Sequence, residues 1–241
     1  MRDGIRQMRF AAGGSATRIL LVRHGESAAV APGGAWPTSM GQGDPDLHPH
    51  GRVQAERVAD RLVGEDVSAV YVTPFSRTAG TAAPFLSRRA MVAVVEPDLR
   101  EVYLGDWDGP IFRQLVADRD PLAMRIFDEE RWDLAPGAEP AHSFAARVRG
   151  AVERIATAQQ GGTVAVFTHA GVIGRVLAEA TGSTPFAFNG ADNASISHLV
   201  VDQGKWTLRS FNDTAHLGMA IVNRSDLAWE QAPPVSDRST G

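Results

Sequence analysis

The sequence predicts an α/β fold: a three-layer α/β/α sandwich with a mostly parallel central sheet and a small cap insertion. Three observations carry that expectation. Short apolar runs rich in β-branched residues alternate with longer stretches of helical spacing. Several of those runs stop abruptly in a polar cluster, the pattern of a buried strand whose carboxyl end opens onto a site. The 241 residues, 44% hydrophobic and 22% charged, suffice for one sizeable core.

Residues 18–22 form the first such run, which places His24 at a strand tip. Residues 28–49 hold many Gly and Pro and no sustained period, so they predict an irregular loop beside the site. From 51 to 63 the apolar positions Val53, Ala55, Val58, Ala59, Leu62 and Val63 recur at helical spacing, and Gly64 stops the pattern. A second strand is expected at 69–72, followed by a helix capped by Ser76 and running to about 86, with Arg77 in its first turn. A third strand is expected at 91–95. Residues 105–140, with Trp107, Trp132 and charges of both signs, form the cap insertion. A helix at 141–158, a strand at 163–167, a helix at 171–180 and a hairpin of 195–201 with 206–211, turning at Gln203-Gly204, complete the domain. That domain spans 18–224, between a loose tail at 1–17 and a polar, mobile tail at 225–241.

The formal net charge of -4 argues against bulk attraction to nucleic acid or to an anionic membrane, and no apolar run approaches the ~20 residues a bilayer span needs. With no cysteine there is neither a disulfide framework nor a thiolate metal site, and a cytoplasmic setting is expected. Oligomeric state is not readable from the pattern.

Three strand ends carry the chemistry: Arg23-His24-Gly25-Glu26, Thr73-Pro74-Phe75-Ser76-Arg77-Thr78, and Thr168-His169-Ala170-Gly171. In an open α/β sheet the carboxyl ends of parallel strands share one edge, where ligands bind. Two arginines and two histidines on that edge suit a phosphoryl group, because guanidinium forks match phosphate oxygens and a neutral imidazole can attack phosphorus. Positive neighbours favour the neutral form.

These segments, together with 46–55, 99–109 and 212–217, resemble those of the histidine phosphatase superfamily, which includes the cofactor-dependent phosphoglycerate mutases and many phosphomonoesterases. The resemblance runs from about 18 to 217. It implies that His24 is the phosphate acceptor, that Arg23, Arg77 and His169 surround the phosphoryl group with the helix start at Ala170, and that Glu101 is the general acid. It implies a small-molecule phosphomonoester as substrate, and no cofactor or metal is expected. Asp98, Asp106 and Asp108 are rivals for the acid. Asp44, Asp46, His48 and His50 could suggest metal ligands, but Pro45 and Pro49 favour a turn leading into a helix.

Hydrolysis is preferred to mutase chemistry. The mutases continue their Arg-His-Gly-Glu with an asparagine absent from Ser27-Ala28-Ala29, and the cap arginines 113, 119, 125 and 131 are balanced by acidic neighbours. The family's Pro-Gly-Gly-Glu-Ser is altered here to Pro136-Gly137-Ala138-Glu139-Pro140, leaving Glu139 as a candidate substrate contact. A catalytically silent relative that binds phosphorylated ligands or proteins is the alternative from another class. Trp107 and Trp132 are read first as packing residues, His216 as structural, and His142, His198 and Asn193 stay unassigned.

Overall fold

The computed structural model describes residue 7, residues 10–30 and residues 33–218. Residues 1–6, 8 and 9 of the expected loose tail at 1–17 and all of the tail at 225–241 lie outside these residues. Order begins before residue 18, however. Ser15 Oγ donates to Asp202, Ala16 and Thr17 are buried, and Thr17 Oγ1 donates to the Ala156 carbonyl at 2.8 Å.

The chain runs β1 (Thr17–Arg23), β2 (Thr38–Ser39), β3 (Gln42–Gly43), α1 (Pro49–Leu62), β4 (Val67–Val72), α2 (Ser76–Arg89) and β5 (Ala93–Val95). It continues through α3 (Pro110–Ala117), α4 (Pro121–Asp128), α5 (Ala141–Ala158), β6 (Thr163–Thr168), α6 (Ala170–Thr181), β7 (Ile196–Asp202) and β8 (Lys205–Asp213). The main sheet has the order β5-β4-β6-β1-β7-β8. The pairings among β5, β4, β6 and β1 are parallel, and the late hairpin adds two antiparallel strands at one side.

Successive side chains of a strand face opposite layers, and β1 shows it. Ile19 and Leu21 join a core with Val148, Val152 and Ile155 of α5, whereas Leu20 and Val22 join one with Val58 and Leu62 of α1. In β6, Val164 and Val166 face the first core and Ala165 and Phe167 the second. Burial on both faces explains why these strands read as unbroken apolar runs. In α1 the buried stripe is Ala55, Val58, Ala59 and Leu62, while Val53 and Val63 of the expected apolar set face solvent.

Two expectations are corrected. Ser76 does not cap α2; Phe75 holds the cap position, and both the backbone N–H and the hydroxyl of Ser76 donate to Asp44, at 2.9 and 2.6 Å. A carboxylate reaching in from the preceding loop thus satisfies the helix start, which a local reading of the sequence misses. The loop at 28–49 is also not wholly irregular, since β2 and β3 pair through a turn in which Met40 and Gly41 have φ of 51° and 78°.

Because β1, β4 and β6 are parallel, their carboxyl ends meet on one edge. The Arg23 and Thr168 positions are in register, and the His24 N–H donates to the Thr168 carbonyl at 3.0 Å. The chain after β1 then crosses the start of α1 so closely that a Cβ on Gly51 would stand 2.0 Å from the Glu26 carbonyl oxygen. Only glycine permits that approach. Among the described residues no helix is long and apolar enough to cross a membrane.

Candidate active site

A cavity of about 290 Å³ opens over this edge, walled by Arg23, His24, Arg77, Glu101, Ala170 and Gly171 on the sheet side. Trp36, Phe112, Arg113 and Trp132 wall it on the other.

His24 is 6% exposed. Its Nδ1 lies 2.8 Å from the Gly25 carbonyl oxygen. A carbonyl only accepts, so Nδ1 carries the proton and Nε2 keeps its lone pair when the ring is neutral. Burial, then Arg77, then Arg23 hold the imidazole well below its ordinary range, so the neutral form prevails at neutral pH. Asn193 Nδ2 donates to the His24 carbonyl at 3.0 Å, which gives this unassigned residue a place behind the imidazole-bearing backbone.

His169 lies one layer deeper. It is fully buried and absent from the cavity wall; its ring meets that of His24 edge-on with centroids 5.2 Å apart, and its Nε2 is 3.0 Å from Thr73 Oγ1. Its Nδ1 is buried without a hydrogen-bond partner. Burial and Arg77 push its pKa well down too.

Arg23 Nη1 donates to the Ala191 carbonyl at 2.5 Å. Arg77 Nη1 donates to the Gly43 carbonyl at 3.1 Å and stands 3.4 Å from Asp44, with the guanidinium over the Phe75 ring. Neither arginine pairs with Glu26, whose carboxylate takes His50 Nδ1 at 2.8 Å.

Glu101 reaches the cavity from an irregular segment. Its Oε1 accepts from the Val102 N–H at 2.9 Å and its Oε2 from the Gly171 N–H at 3.3 Å. A Cβ at Gly171 would stand 2.5 Å from Oε1, so a glycine there makes room for the carboxyl. Burial raises its pKa above the usual carboxylate value, against the pull of those N–H groups and of Arg77 and Arg23. Of its rivals, Asp98 is bound to Arg154 at 2.7 Å and Asp106 is exposed. Asp108 does line the cavity, but its carboxylate accepts from the Gly43 N–H at 2.7 Å.

The other candidate residues take definite places in the fold. Glu139 does not line this cavity and forms a part-buried ion pair with Arg147 at 2.6 Å. His48 caps α1 and Asp44 caps α2, which assigns both would-be metal ligands other work. Trp132 packs against the core and also walls the cavity. His216 Nε2 lies 3.0 Å from the Ala194 carbonyl, a structural contact. Trp36, Gln42 and Arg113 line the cavity without a signal in the sequence, because the first two sit in the aperiodic loop and Arg113 is one of four cap arginines with acidic neighbours. Its guanidinium instead stacks over Trp36 at 4.4 Å and donates to Ser27 Oγ at 2.8 Å, with no ion pair among the described residues.

A neutral imidazole beside one buried and one half-buried guanidinium, at the carboxyl edge of a parallel sheet, defines a class: an α/β protein built for phosphoryl chemistry. The particular family follows. The chain belongs to the histidine phosphatase superfamily (branch 1), whose family model matches residues 19–214. Its relatives include phosphoglycerate mutase-like protein 4 of Arabidopsis thaliana, 32% identical over 83% of this chain and 86% of the relative. The metal-independent phosphoserine phosphatase of the same plant is 32% identical over 83% of each chain. Among solved structures, a mycobacterial glucosyl-3-phosphoglycerate phosphatase is 27% identical with a TM-score of 0.68, covering 83% of this chain and 100% of that one. Phosphomonoester hydrolysis fits this membership.

Proposed function

We propose that the protein is a phosphatase-type member of its family that hydrolyses a small phosphomonoester through a phosphohistidine on His24. The observation that carries this reading is the held tautomer of His24. With Nδ1–H fixed on the Gly25 carbonyl, the Nε2 lone pair is the free nucleophile, next to cations that keep the ring neutral.

The phosphoryl oxygens are received by Arg23 and Arg77 and by the Ala170 N–H, which as the first residue of α6 has no acceptor within its helix. His169, behind the wall, backs the His24 ring edge-on, and its imidazole, its pKa depressed by burial and by charge, adds no proton to the pocket. His24 Nε2 attacks phosphorus in line with the departing oxygen, which Glu101 protonates. Water then attacks the phosphohistidine and gives its proton to Glu101, releasing phosphate and restoring His24. The raised pKa of Glu101 suits both halves of that exchange.

The far wall gives the substrate a second requirement. Arg125 and Arg131 of the cap are tied to Glu129 and Asp133, at 2.7 and 3.0 Å, whereas Arg113 lines the cavity and makes no ion pair among the described residues. The substrate therefore carries a second anionic group for Arg113. The substrates in two relatives' names, phosphoserine and glucosyl-3-phosphoglycerate, both have a carboxylate beside the phosphate.

The test is to quench turnover in alkali and map phosphate on the protein. Acid-labile phosphate on His24, absent from His24→Ala together with the activity, is expected. A variant lacking His24 that hydrolyses at the parent rate would refute the reading.

A further inference from the structure

The segment that bears Glu101 has no helix or strand of its own, since residues 100–104 run between two short 3-10 turns at Pro97–Leu99 and Gly105–Trp107. Its backbone polar groups need partners from outside the segment. Side chains from three other elements provide them. The carbonyls of Asp98 and Arg100 accept from Arg147 Nη1 at 2.7 and 2.8 Å, and that of Leu99 accepts from Thr168 Oγ1 at 2.8 Å. The Glu101 carbonyl accepts from Arg147 Nη2 at 3.1 Å and from Gln42 Nε2 at 3.3 Å, and Gln42 also reaches the Val102 carbonyl at 3.3 Å. Five successive carbonyls are thus held from outside, three of them by one guanidinium.

That guanidinium is itself fixed. Arg147 projects from the middle of α5 with its side chain 10% exposed, and Glu139 grips it in a fork, Nε to Oε1 at 2.6 Å and Nη2 to Oε2 at 2.8 Å. Glu139 is fastened to the same segment, its N–H donating to the Tyr103 carbonyl at 2.9 Å. An arginine has five N–H donors in a rigid plane, and here each of the five has an acceptor.

We propose that Arg147, clamped by Glu139, is a positioning residue for Glu101, setting where the carboxyl stands against the leaving oxygen. The proposal rests on the reading of Glu101 as the acid. Lysine would keep the charge but offers a single ammonium, which cannot span three carbonyls and a carboxylate in one plane. Released carbonyls let the segment shift, and a displacement of about 1 Å at a proton-transferring group costs on the order of 10²-fold.

The experiment compares kcat/KM for two aryl phosphates, phenyl phosphate with a poor leaving group and 2,4-dinitrophenyl phosphate, whose leaving oxygen departs without a proton. Arg147→Lys is expected to lower the phenyl phosphate value by about 10²-fold while changing the dinitrophenyl value by less than about threefold. Glu139→Gln keeps the guanidinium and loosens its hold, so it should show the same ranking with smaller losses, and it stands in should the lysine variant fail to fold. Glu101→Gln is the control and should show the ranking most strongly. If the foldable clamp variants lose both substrates in equal proportion while Glu101→Gln keeps the ranking, Arg147 is only structural and the proposal is overturned. If Glu101→Gln itself loses both equally, the assignment of Glu101 fails and the role of Arg147 falls with it.

Discussion

On the sheet side of the cavity, Arg23, His24 and Arg77 stand at the end of β1 and the start of α2, and each is tied to backbone through a buried or half-buried hydrogen bond. On the opposite side, Trp36, Phe112 and Arg113 come from the 28–49 loop and α3, and their mutual contacts are a guanidinium over an indole and one donor to Ser27 Oγ. Helix α3 has no buried residue, whereas four of the seven residues of β1 are buried apolar ones. The first wall inherits its geometry from the packing of the whole sheet, so its groups stay where in-line displacement needs them. The second rests on ring contacts and a part-buried hydrogen bond outside the sheet, so a change there should disturb the chemistry less.

The contrast is open to attack at graded depths. Arg77→Met should remove a preorganised contact and lower kcat by on the order of 10²–10³-fold, since a single such donor is typically worth that much. It should also move the His24 titration, followed by NMR, toward the ordinary imidazole range, because Arg77 is the leading charge that depresses it. A near-normal rate would remove Arg77 from the site.

Glu101→Gln should cost about 10²-fold or more with poor leaving groups and should alter the pH profile in one direction. The raised pKa of Glu101 places the alkaline decline of kcat/KM above the ordinary carboxylate range, and the depressed pKa of His24 places the acid decline below the ordinary imidazole range. The variant should lose the alkaline decline and keep the acid one. An alkaline limb that survives the substitution belongs to another group.

On the selective wall the effect should be smaller and substrate-dependent. Arg113→Ala should raise KM roughly tenfold or somewhat more for phosphoserine, as expected for loss of a charge-assisted hydrogen bond, and leave phosphoethanolamine unchanged, with kcat barely affected for either. Equal KM shifts for both substrates would show that Arg113 does not read a second anion.

The mildest effect is on stability. His24 and His169 are buried and neutral with depressed pKa values, so on lowering the pH through the ordinary imidazole range the unfolded chain takes up protons that the folded chain does not. Stability should fall with falling pH in that range, by up to about 1.4 kcal/mol per pH unit for each imidazole, and His169→Gln should flatten the slope of the urea midpoint against pH. An unchanged slope would mean that His169 is not held neutral.

What could be read without coordinates was whatever local pattern or sequence order encodes. The helix expected at 141–158 is α5 to the residue, and the strand expected at 163–167 differs from β6 only by Thr168. Apolar runs announced β1, β4 and β6 because parallel strands are buried on both faces, and the motifs at their ends named Arg23, His24, Arg77 and His169. Glu101 was legible only by resemblance, since nothing in its neighbourhood separates it by pattern from Asp98, Asp106 and Asp108.

Tertiary structure decided the remainder. That Asp44 caps α2, that Arg113 and not Arg125 or Arg131 faces the cavity, that His169 lies behind the wall rather than in it, and that Glu139 and Arg147 grip the Glu101 segment are all facts about contacts between residues distant in sequence. Periodicity reports which face of an element is apolar, and strand order reports which edge collects the polar ends. Neither reports which oxygen an arginine meets across the fold, because that depends on how separate elements pack once both cores have closed.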